Sequence, residues 1–251
     1  MKLSVALISF NEEENIGRTL SAIKDIADEI IIVDSFSTDD TVKITKEYGA
    51  TVYIEEWKGH IAQKNSALEK CKGDWILSLD SDEVVDETLK NAIVEALREP
   101  GTKNGFTLNR KTFYMGRLLN RAWQPDKKLR LVKRESLPRW AGYNPHDVLT
   151  IEGDKGALNG HLIHYSYKDF RDHMQKTLTY ARLAADSYWQ KGKRASFISL
   201  FFKPVFTFFK RMLLQGAFLD GIPGLMAAYS SAYYVYMKYA FLWERARTGQ
   251  K

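Results

Sequence analysis

The chain has 251 residues, 45% hydrophobic and 27% charged, which excludes an intrinsically disordered protein and allows one large domain or a domain with an extension. Its single cysteine, Cys71, excludes an intramolecular disulfide and is compatible with a reducing compartment. The net charge of +6 hides two regions of opposite sign, because residues 1–100 contain 11 basic and 21 acidic residues, whereas the remainder contains 26 and 10. A basic region of this size predicts an anionic partner, such as nucleic acid, lipid or a phosphorylated ligand.

The first hundred residues alternate between strand and helix patterns. A short apolar run at residues 3–9 leads into acids rather than a small-residue cleavage site, so we expect a strand there and no signal peptide. Asn11 is the expected N-cap of the first helix, because three glutamates follow it. Further strands are expected at residues 30–33, 51–54 and 75–79, and further helices from about residue 39, at 61–71 and around residues 89–97. Strands that alternate with helices predict an α/β fold with a mostly parallel sheet.

The second part of the chain changes character twice. Residues 101–165 contain short β-like segments between Gly, Pro, Asn and Trp residues, and a helical pattern begins at Lys168. Residues 197–243 then hold 14 of the chain's 32 aromatic residues. We therefore predict a sheet-based domain at residues 1–165 and a helical, aromatic and basic extension at residues 166–251.

The strand at residues 75–79 changes abruptly from apolar to acidic residues at its end. Acids stand at positions 80, 82, 83 and 86, and like charges this close repel each other unless a cation lies among them. Asp34 ends an earlier apolar strand in the same way as Asp80. One such aspartate alone would indicate a helix or turn cap, but two at strand ends favour a binding site. Ligands bind beyond the carboxyl ends of parallel strands, so we expect both at one edge of the sheet.

The Asp80-x-Asp82 pair suits a hard divalent cation. Mg²⁺ and Mn²⁺ prefer carboxylate oxygens, and Mg²⁺ often completes its shell with phosphate and water. The same segment also matches the haloacid-dehalogenase phosphatase pattern, in which Asp80 would be the nucleophile for phosphoryl transfer. Against that alternative, the motif follows the fourth strand rather than the first, and we find no convincing paired-acid motif downstream.

Residues 3–100 resemble glycosyltransferase family 2, whose members have the GT-A fold and use nucleotide-sugar donors. The resemblance rests on four segments in family-like order and spacing, SVALISFNEEENI, IIIVDSFSTDDT, WKGHIAQKNSALE and WILSLDSDEVV. Two positions depart from the family pattern, because Phe10 replaces the usual Tyr, and Ser35 follows Asp34 where Gly or Asp is common. Neither change removes an acid.

The resemblance implies a role for each matching residue. Asp34 would accept a hydrogen bond from the uracil imide of a UDP-sugar. Asp82 would ligate a divalent metal, Mn²⁺ or Mg²⁺, that bridges the two phosphates, and Asp80 would contact the ribose or the metal and its water. The other residues expected to bind the donor are Ser9, Phe10, Asn11, Glu12, Lys64, Asn65 and Ser81.

An inverting transfer in one step also needs a base for the acceptor hydroxyl. The segment YNPHDV supplies Asp147, where related enzymes more often have Glu after the His. The alternative is that Asp147 only orders a loop beside Pro145. His146 or His164 could be a third metal ligand, although a lone histidine is more often a packing or hydrogen-bonding residue.

The later segments resemble one branch of the family, which includes bacterial transferases of lipopolysaccharide core assembly, some of them β-glucosyltransferases. These segments are KLRLVKR, YNPHDV, HLIHYSYKD and GAFLDGIPG. The implied reaction moves a hexose from a UDP-sugar to a saccharide acceptor, in the lipopolysaccharide core or in another lipid-linked glycan. A haloacid-dehalogenase-like phosphatase and a non-catalytic, nucleotide-sugar-binding membrane scaffold remain as alternatives.

Two further segments combine basic and apolar residues. Arg130, Lys133 and Arg134 alternate imperfectly with apolar residues, so this basic face could meet a diphosphate or an anionic acceptor, and a solvated edge strand explains it almost as well. In the tail, Lys203 and Asp220 interrupt apolar runs, which are therefore unsuited to spanning a bilayer.

The mixture of aromatic and basic residues in the tail favours a helical platform on an anionic membrane surface. We therefore expect a cytoplasmic protein that is peripheral on the inner membrane. The alternative is a packed helical subdomain whose aromatic residues form its core. No nucleic-acid-binding motif accompanies the basic half, so we expect no nucleic-acid partner.

Overall fold

The computed structural model describes residues 1–143 and 146–248 and divides into two compact units. The first unit contains Met1–Lys111 and Asp126–Tyr165, and the second contains Thr112–Pro125 and Ser166–Lys251. The segment Thr112–Pro125, which the sequence assigns to the sheet-based domain, therefore clusters with the helices in the structure.

The predicted α/β fold is confirmed. The strands are β1 (Leu3–Ser9), β2 (Glu29–Asp34), β3 (Thr51–Ile54), β4 (Trp75–Ser78), β5 (Glu83–Val85), β6 (Gly105–Tyr114), β7 (Arg117–Leu118), β8 (Lys127–Lys133), β9 (Arg139–Tyr143), β10 (His146–Thr150) and β11 (Lys155–His164). The helices are α1 (Ile16–Ile23), α2 (Thr41–Glu47), α3 (His60–Lys70), α4 (Glu87–Arg98), α5 (Phe170–Gln190), α6 (Phe197–Phe209) and α7 (Gly221–Thr248).

In the main sheet, the order in which strands are added reverses at β1, because β2 and β3 lie on one side of it and β4 lies on the other. Its strands follow the order β3-β2-β1-β4-β8-β6-β11-β5, and β7 pairs with β6. The first four are parallel, whereas β8 is antiparallel to both β4 and β6. The carboxyl ends of β1 and β4 therefore meet at a topological switch point, where open α/β sheets bind ligands. Because β8 is an interior strand, the alternative of a solvated edge strand around Arg130 is wrong.

The central strands are buried on both faces, as their continuous apolar sequences predict. Alternate residues of one strand point to opposite faces, so Leu77 packs on the side of α1 and α4 while Ile76 packs on the side of α3. On the α4 side, residues Leu89, Ile93, Ala96 and Leu97 are buried along one helical face, as predicted. This packing fixes the strand ends on which the site residues lie.

The first helix begins later than the sequence predicts. Asn11 is not its N-cap, because α1 starts at Ile16 and Asn11 adopts a left-handed backbone conformation with φ of 54°. The backbone N–H of Asn11 donates to the hydroxyl of Ser37 at 2.9 Å, and its side-chain oxygen accepts from the N–H of Thr38 at 2.9 Å. Asn11 therefore joins the loop after β1 to the loop after β2, and the helix begins only after the following turn.

The second unit combines α5, α6 and α7 with Thr112–Pro125. Asp220, which is 1% exposed, accepts hydrogen bonds from the backbone N–H groups of Asn120, Arg121 and Ala122 at 2.9, 2.8 and 2.7 Å. These bonds hold the segment onto the helices of its unit. Within the described part of the chain, no helix is both long enough and apolar enough to cross a membrane.

Candidate active site

Asp34 orders the loops at the carboxyl ends of β1 and β2. Its carboxylate is fully buried and accepts hydrogen bonds from the Ser9 hydroxyl and from the backbone N–H of Ser37, both at 2.8 Å. Nearby, the backbone N–H of Glu12 donates to the hydroxyl of Thr41 at 2.7 Å. The residues predicted to bind a nucleoside therefore form one hydrogen-bonded rim around the ends of these two strands.

Two exposed aromatic side chains occupy the same rim. Phe10 follows β1 and is 56% exposed, and Phe36 follows β2 and is 57% exposed. Phe36 has φ of 62°, a conformation that is uncommon outside glycine and marks a bulky residue for attention. An exposed aromatic face can stack on a planar base. Phe36 is not among the predicted site residues, although its position two residues after Asp34 was visible in the sequence.

Lys64 joins Asp80 to Asp147. Its ammonium group lies 2.8 Å from a carboxylate oxygen of each aspartate and 4.2 Å from the ring centroid of Trp140. Burial works to lower the pKa of Lys64, but Asp80 and Asp147 outweigh this effect and raise it. The predicted base and the first acid of the DxD pair are thus held beside one buried cation, although they are far apart in sequence.

Arg130 is the second cation beside Asp80. Its guanidinium lies 2.8 Å from Asp80 and 2.7 Å from Glu83, and Glu83 is fully buried. Arg110 continues the network, 3.0 Å from Glu83 and 2.8 Å from Asp126. Burial alone would raise the pKa of Asp80, but Lys64 and Arg130 hold it well below its ordinary value. The cluster of acids after β4 is therefore stabilised partly by the protein's own cations.

Asp82 faces His164 rather than this network. An Asp82 carboxylate oxygen lies 3.2 Å from Nε2 of His164, which ends β11. Burial opposes ionisation of Asp82, but His164 lowers the pKa of the carboxyl, and the charge of Asp80 works in the opposite direction. The sequence offers His164 only as an alternative third metal ligand. The structure places it in direct contact with the second acid of the DxD motif. The side chain of His146 lies outside the described residues.

The donor set of Asp82 and His164 fits a divalent cation. The pair offers a carboxylate oxygen and an imidazole nitrogen 3.2 Å apart, and both are ligand types that divalent cations accept. Among residues 1–143 and 146–248, no group of three or more His, Cys, Asp or Glu side chains could hold a metal. A cation held by Asp82 and His164 would take only these two protein ligands, as Mg²⁺ often takes few.

Asn65 positions the β-hairpin that carries Asp147. Its side-chain oxygen accepts from the backbone N–H of Trp140 at 2.8 Å, and its side-chain amide donates to the carbonyl of Trp140 at 3.0 Å. Trp140 lies in β9, which pairs with β10, where Asp147 is opposite Gly142. Both ends of the Asn65 amide thus bind backbone of this hairpin, and the contact of Asn65 with the donor stays a prediction.

The structure sorts the predicted site residues into three neighbouring groups. Ser9, Asn11 and Asp34 form the rim around β1 and β2, Asp80 contacts Lys64 together with Asp147, and Asp82 contacts His164. Ser81, between the two acids, donates its hydroxyl to the carbonyl of Ile8 and accepts from the Thr19 hydroxyl at its own carbonyl, so it ties β4 to the first strand. The residues that the sequence does not assign to the site are Phe36, Glu83, Arg110 and Trp140.

The fold and the acid-lined switch point define an α/β protein of the GT-A type. The chain matches the model described as "Glycosyl transferase family 2" over residues 4–174. It therefore belongs to glycosyltransferase family 2. This membership confirms the resemblance found in the sequence and rules against the haloacid-dehalogenase alternative.

Curated relatives span nearly the whole chain. The chain is 28% identical over 256 residues to the lipopolysaccharide core biosynthesis glycosyltransferase LpsC of Rhizobium meliloti (strain 1021), which covers 98% of this chain and 93% of LpsC. It is 30% identical over 254 residues to an uncharacterised glycosyltransferase of Rickettsia bellii (strain RML369-C), covering 97% of this chain and 86% of that protein.

Solved structures agree with the fold. Residues 1–349 of S. aureus TarS in complex with UDP match with a TM-score of 0.50 and 16% identity, covering 100% of this chain and 92% of that one. Glucosyl-3-phosphoglycerate synthase of Mycobacterium tuberculosis in complex with phosphoglyceric acid matches with a TM-score of 0.51 and 20% identity, covering 78% and 81%. At 16% and 20% identity, these matches show a similar fold only.

Proposed function

We propose that this glycosyltransferase moves a hexose from a UDP-sugar, with inversion, to a saccharide of the lipopolysaccharide core or of another lipid-linked glycan. The observation that carries the proposal is the direct contact of Lys64 with Asp80 and Asp147 at the switch point of the sheet. The similarity to LpsC over almost the full length supports the acceptor class. UDP, which is bound in the TarS structure of the same fold, is the first nucleotide to test.

The rim around Asp34 is the proposed nucleoside site. The exposed ring of Phe10, or that of Phe36, offers a face for the uracil, and Asp34 with Ser9 supplies a polar group for the base. Asn11 and Glu12 fix the loop on the α1 side through their bonds to the loop after β2. Ser81 holds the loop after β4 in place, and Asp80 is the acid assigned to the ribose or to the metal and its water.

A divalent cation, Mg²⁺ or Mn²⁺, is proposed at Asp82, with His164 as the second protein ligand and Asp80 as a nearby negative charge. When bound, it would neutralise charge on the leaving diphosphate. The protein's own contribution is to place these groups at the switch point and to bury them. Burial strengthens electrostatic interactions with a phosphate that enters the site.

Asp147 is the proposed base of the transfer. Its carboxylate would take the proton of the acceptor hydroxyl while that oxygen bonds to the anomeric carbon of the sugar. The glycosidic C–O bond breaks at the same time, and its electron pair leaves with UDP. Lys64 orients the carboxylate at 2.8 Å, and Asn65 positions the hairpin that bears it, so both are proposed positioning residues.

The second unit is the proposed membrane-binding part. Seven apolar residues of α6 are more than half exposed, Phe197, Ile198, Phe201, Phe202, Val205, Phe206 and Phe209. An exposed apolar patch of this kind commonly marks an interaction surface, and aromatic residues favour the headgroup boundary of a bilayer. Phe208, in contrast, packs against Tyr229 inside the unit. The proposed location is therefore the cytoplasmic face of the inner membrane, in contact with an anionic surface and a glycolipid acceptor.

The proposed function is tested by sugar transfer with the full-length protein. UDP-hexoses are offered one at a time with a lipopolysaccharide-core acceptor, with and without Mg²⁺ or Mn²⁺, and UDP binding is measured by calorimetry. Asp147→Asn should lower turnover about 100-fold or more while UDP affinity changes little, because a base acts on the acceptor proton in the transition state. Asp82→Asn should abolish metal-dependent transfer while it leaves the fold largely intact.

Asp154→Asn serves as the matched control, because Asp154 is an exposed acid of the same unit, paired only loosely with Lys103 at 3.6 Å. It should transfer sugar at the wild-type rate. If Asp147→Asn abolishes UDP binding and leaves turnover at saturation unchanged, Asp147 is a binding residue and the base lies elsewhere. UDP binding without transfer of any UDP-hexose would support the non-catalytic scaffold instead.

A further inference from the structure

The second unit contains lysines that have tyrosines rather than acids as partners. Lys238, on α7, is 9% exposed, and its ammonium group lies 3.5 Å from the Tyr188 hydroxyl. The same ammonium lies 4.5 Å from the ring centroid of Tyr188 and 4.9 Å from that of Tyr239. Within the described residues, no carboxylate pairs with Lys238. A buried ammonium group carries three donors, so it is costly to bury without good acceptors.

Two further lysines approach the same tyrosines. Lys203, on α6, donates to the Tyr239 hydroxyl at 2.8 Å, and the ammonium of Lys193 lies 4.5 Å from the ring centroid of Tyr188. Lys238 lowers the pKa of Tyr188 most strongly, against the effect of burial, and Lys193 and Lys203 lower it further. Two ammonium groups thus lie against the Tyr188 ring, and a third binds the hydroxyl of Tyr239, whose ring packs on that of Tyr188. We call these five residues the lysine–tyrosine cluster.

Among the residues that the structure describes, no ion pair joins an acid to Lys193, Lys203 or Lys238. Asp186, on the same helix as Tyr188, forms its ion pair with Arg245. Arg194 places its guanidinium 3.8 Å from the ring centroid of Trp189, the residue that follows Tyr188 in the chain. The tyrosine rings stabilise ammonium groups through cation–π contacts but bring no negative charge. The cluster therefore has the chemistry of a site for an oxyanion that several donors can share.

We propose that the lysine–tyrosine cluster binds the phosphate group of an anionic membrane lipid. A phosphate carries several oxygens, which accept charge-assisted hydrogen bonds from more than one ammonium group at once. Its source is inferred from the position of Lys203 on α6, among the exposed residues Phe201, Phe202 and Phe206. Aromatic side chains at the headgroup boundary would bring Lys203 to the level of the lipid phosphates. The choice of a lipid as the source rests on the membrane location proposed above.

The test compares three lysine variants of the full-length protein on vesicles. Sedimentation is measured with phosphatidylcholine vesicles that contain or lack phosphatidic acid. Lys238→Met and Lys203→Met should each weaken binding to the phosphatidic-acid vesicles about tenfold or more, the effect of losing a charge-assisted hydrogen bond. Lys210→Met removes the same charge from an exposed residue at the end of α6, so it should cost about fivefold or less, as diffuse attraction does.

The outcomes separate a specific site from general charge attraction. Equal losses in the three variants, or no loss in Lys238→Met and Lys203→Met, would overturn the proposal. Lys203 is exposed, so its variant decides the matter even if Lys238→Met does not fold. Glycerol 3-phosphate is the soluble probe. If it binds in a Lys203-dependent way while phosphatidic-acid vesicles do not, the site takes a free phosphate and the lipid source is wrong.

Calorimetry with UDP keeps this proposal separate from the proposed function. None of the three lysines belongs to the candidate active site, so each variant should bind UDP as the wild type does. A wild-type protein that binds phosphatidic-acid vesicles through the cluster but transfers no sugar would contradict only the proposed function. A protein that transfers sugar but shows no dependence on Lys203 or Lys238 at vesicles would contradict only the lipid-phosphate site.

Discussion

In the first unit, the half-buried Asp80 and the buried Glu83 lie against cationic side chains, whereas in the second unit Asp220 lies against backbone N–H groups and Lys238 against tyrosines. In the first arrangement, each acid is paired with a cation, and these ion pairs hold the acids of the site in fixed positions relative to one another. In the second arrangement, neutral groups bind each charged side chain, so no opposite charge among the described residues neutralises it. Ionic pairing therefore makes the first unit sensitive to the loss of one partner, whereas in the second unit the charge of Lys238 is the one that the proposed phosphate would balance.

The largest expected effect comes from breaking the ionic network of the first unit. Arg130→Met should destabilise the protein by about 3–5 kcal/mol, because it leaves Glu83 buried with fewer cationic partners and removes one from Asp80. Arg130 is 3% exposed, so solvent does little to screen the loss. Urea denaturation measures this change in the free energy of unfolding. The midpoint urea concentration should fall, while the slope of free energy against urea concentration stays constant.

Arg134→Met is the matched control for this prediction. Arg134 lies just beyond β8, is exposed and donates to the carbonyl of Gly73 at 3.0 Å, so its loss should cost about 1 kcal/mol or less. The double variant Arg130→Met, Glu83→Gln should regain part of the lost stability. Equal effects of Arg130→Met and Arg134→Met would show that the network does not stabilise the buried acids.

Acidification should affect the two units over different ranges of pH. In the second unit, burial lowers the pKa of His173 from 6.5 to about 4, and its ring lies 2.7 Å from the Tyr114 hydroxyl. The unfolded chain therefore binds this proton more readily, so stability is present above pH 6.5 and is lost as the pH falls toward 4. The loss from this group should reach about 3 kcal/mol.

The acids of the site respond only at lower pH. The pKa values of Asp80 and Asp82 are below their ordinary value of 3.8, so their contribution is present above that pH and is lost as the pH falls through the lowered values. Thermal unfolding of wild type and His173→Gln at pH 7, 5.5 and 4.5 isolates the His173 range, because all three values lie above the lowered pKa values of the acids. The variant should show a flatter decline, and identical slopes would remove His173 as the source.

A smaller effect is expected when the buried acid of the second unit is changed. Asp220→Asn should cost about 2 kcal/mol, because an amide has one acceptor oxygen where the carboxylate accepts three backbone N–H groups. Asp186→Asn is the control, since the Asp186 side chain is 47% exposed in its pair with Arg245 and should cost less than about 1 kcal/mol. Hydrogen exchange at residues 120–122 reports the change directly, and unaltered protection there would contradict it.

Local pattern was enough to predict the strand ends. An apolar run that stops at an acid marks both a buried strand and its carboxyl end, which is why Asp34 and Asp80 could be assigned to one edge of the sheet before the structure was known. The start of α1 was misplaced because the partners of Asn11 lie in the loop after β2. No feature within its own segment reveals those partners.

Pairings between distant residues were beyond local pattern. Lys64 and Asp147 are 83 positions apart, and Arg130 meets Glu83 across 47 positions because β8 lies beside β4. An antiparallel strand inserted next to a parallel one leaves no signature in hydrophobic periodicity. A solvated edge therefore stood as an alternative for Arg130, whereas its position on an interior strand makes it the most buried cation of the site.

The anchor at Asp220 also has an evolutionary consequence. It binds the chain at residues 120–122 through N–H groups, which every amino acid except proline provides. At those three positions, the anchor therefore excludes only proline. At position 220, it requires a side chain that can accept three hydrogen bonds. Divergent members of the lineage should accumulate substitutions at 120–122 far faster than at 220, where even the conservative exchange to asparagine removes an acceptor.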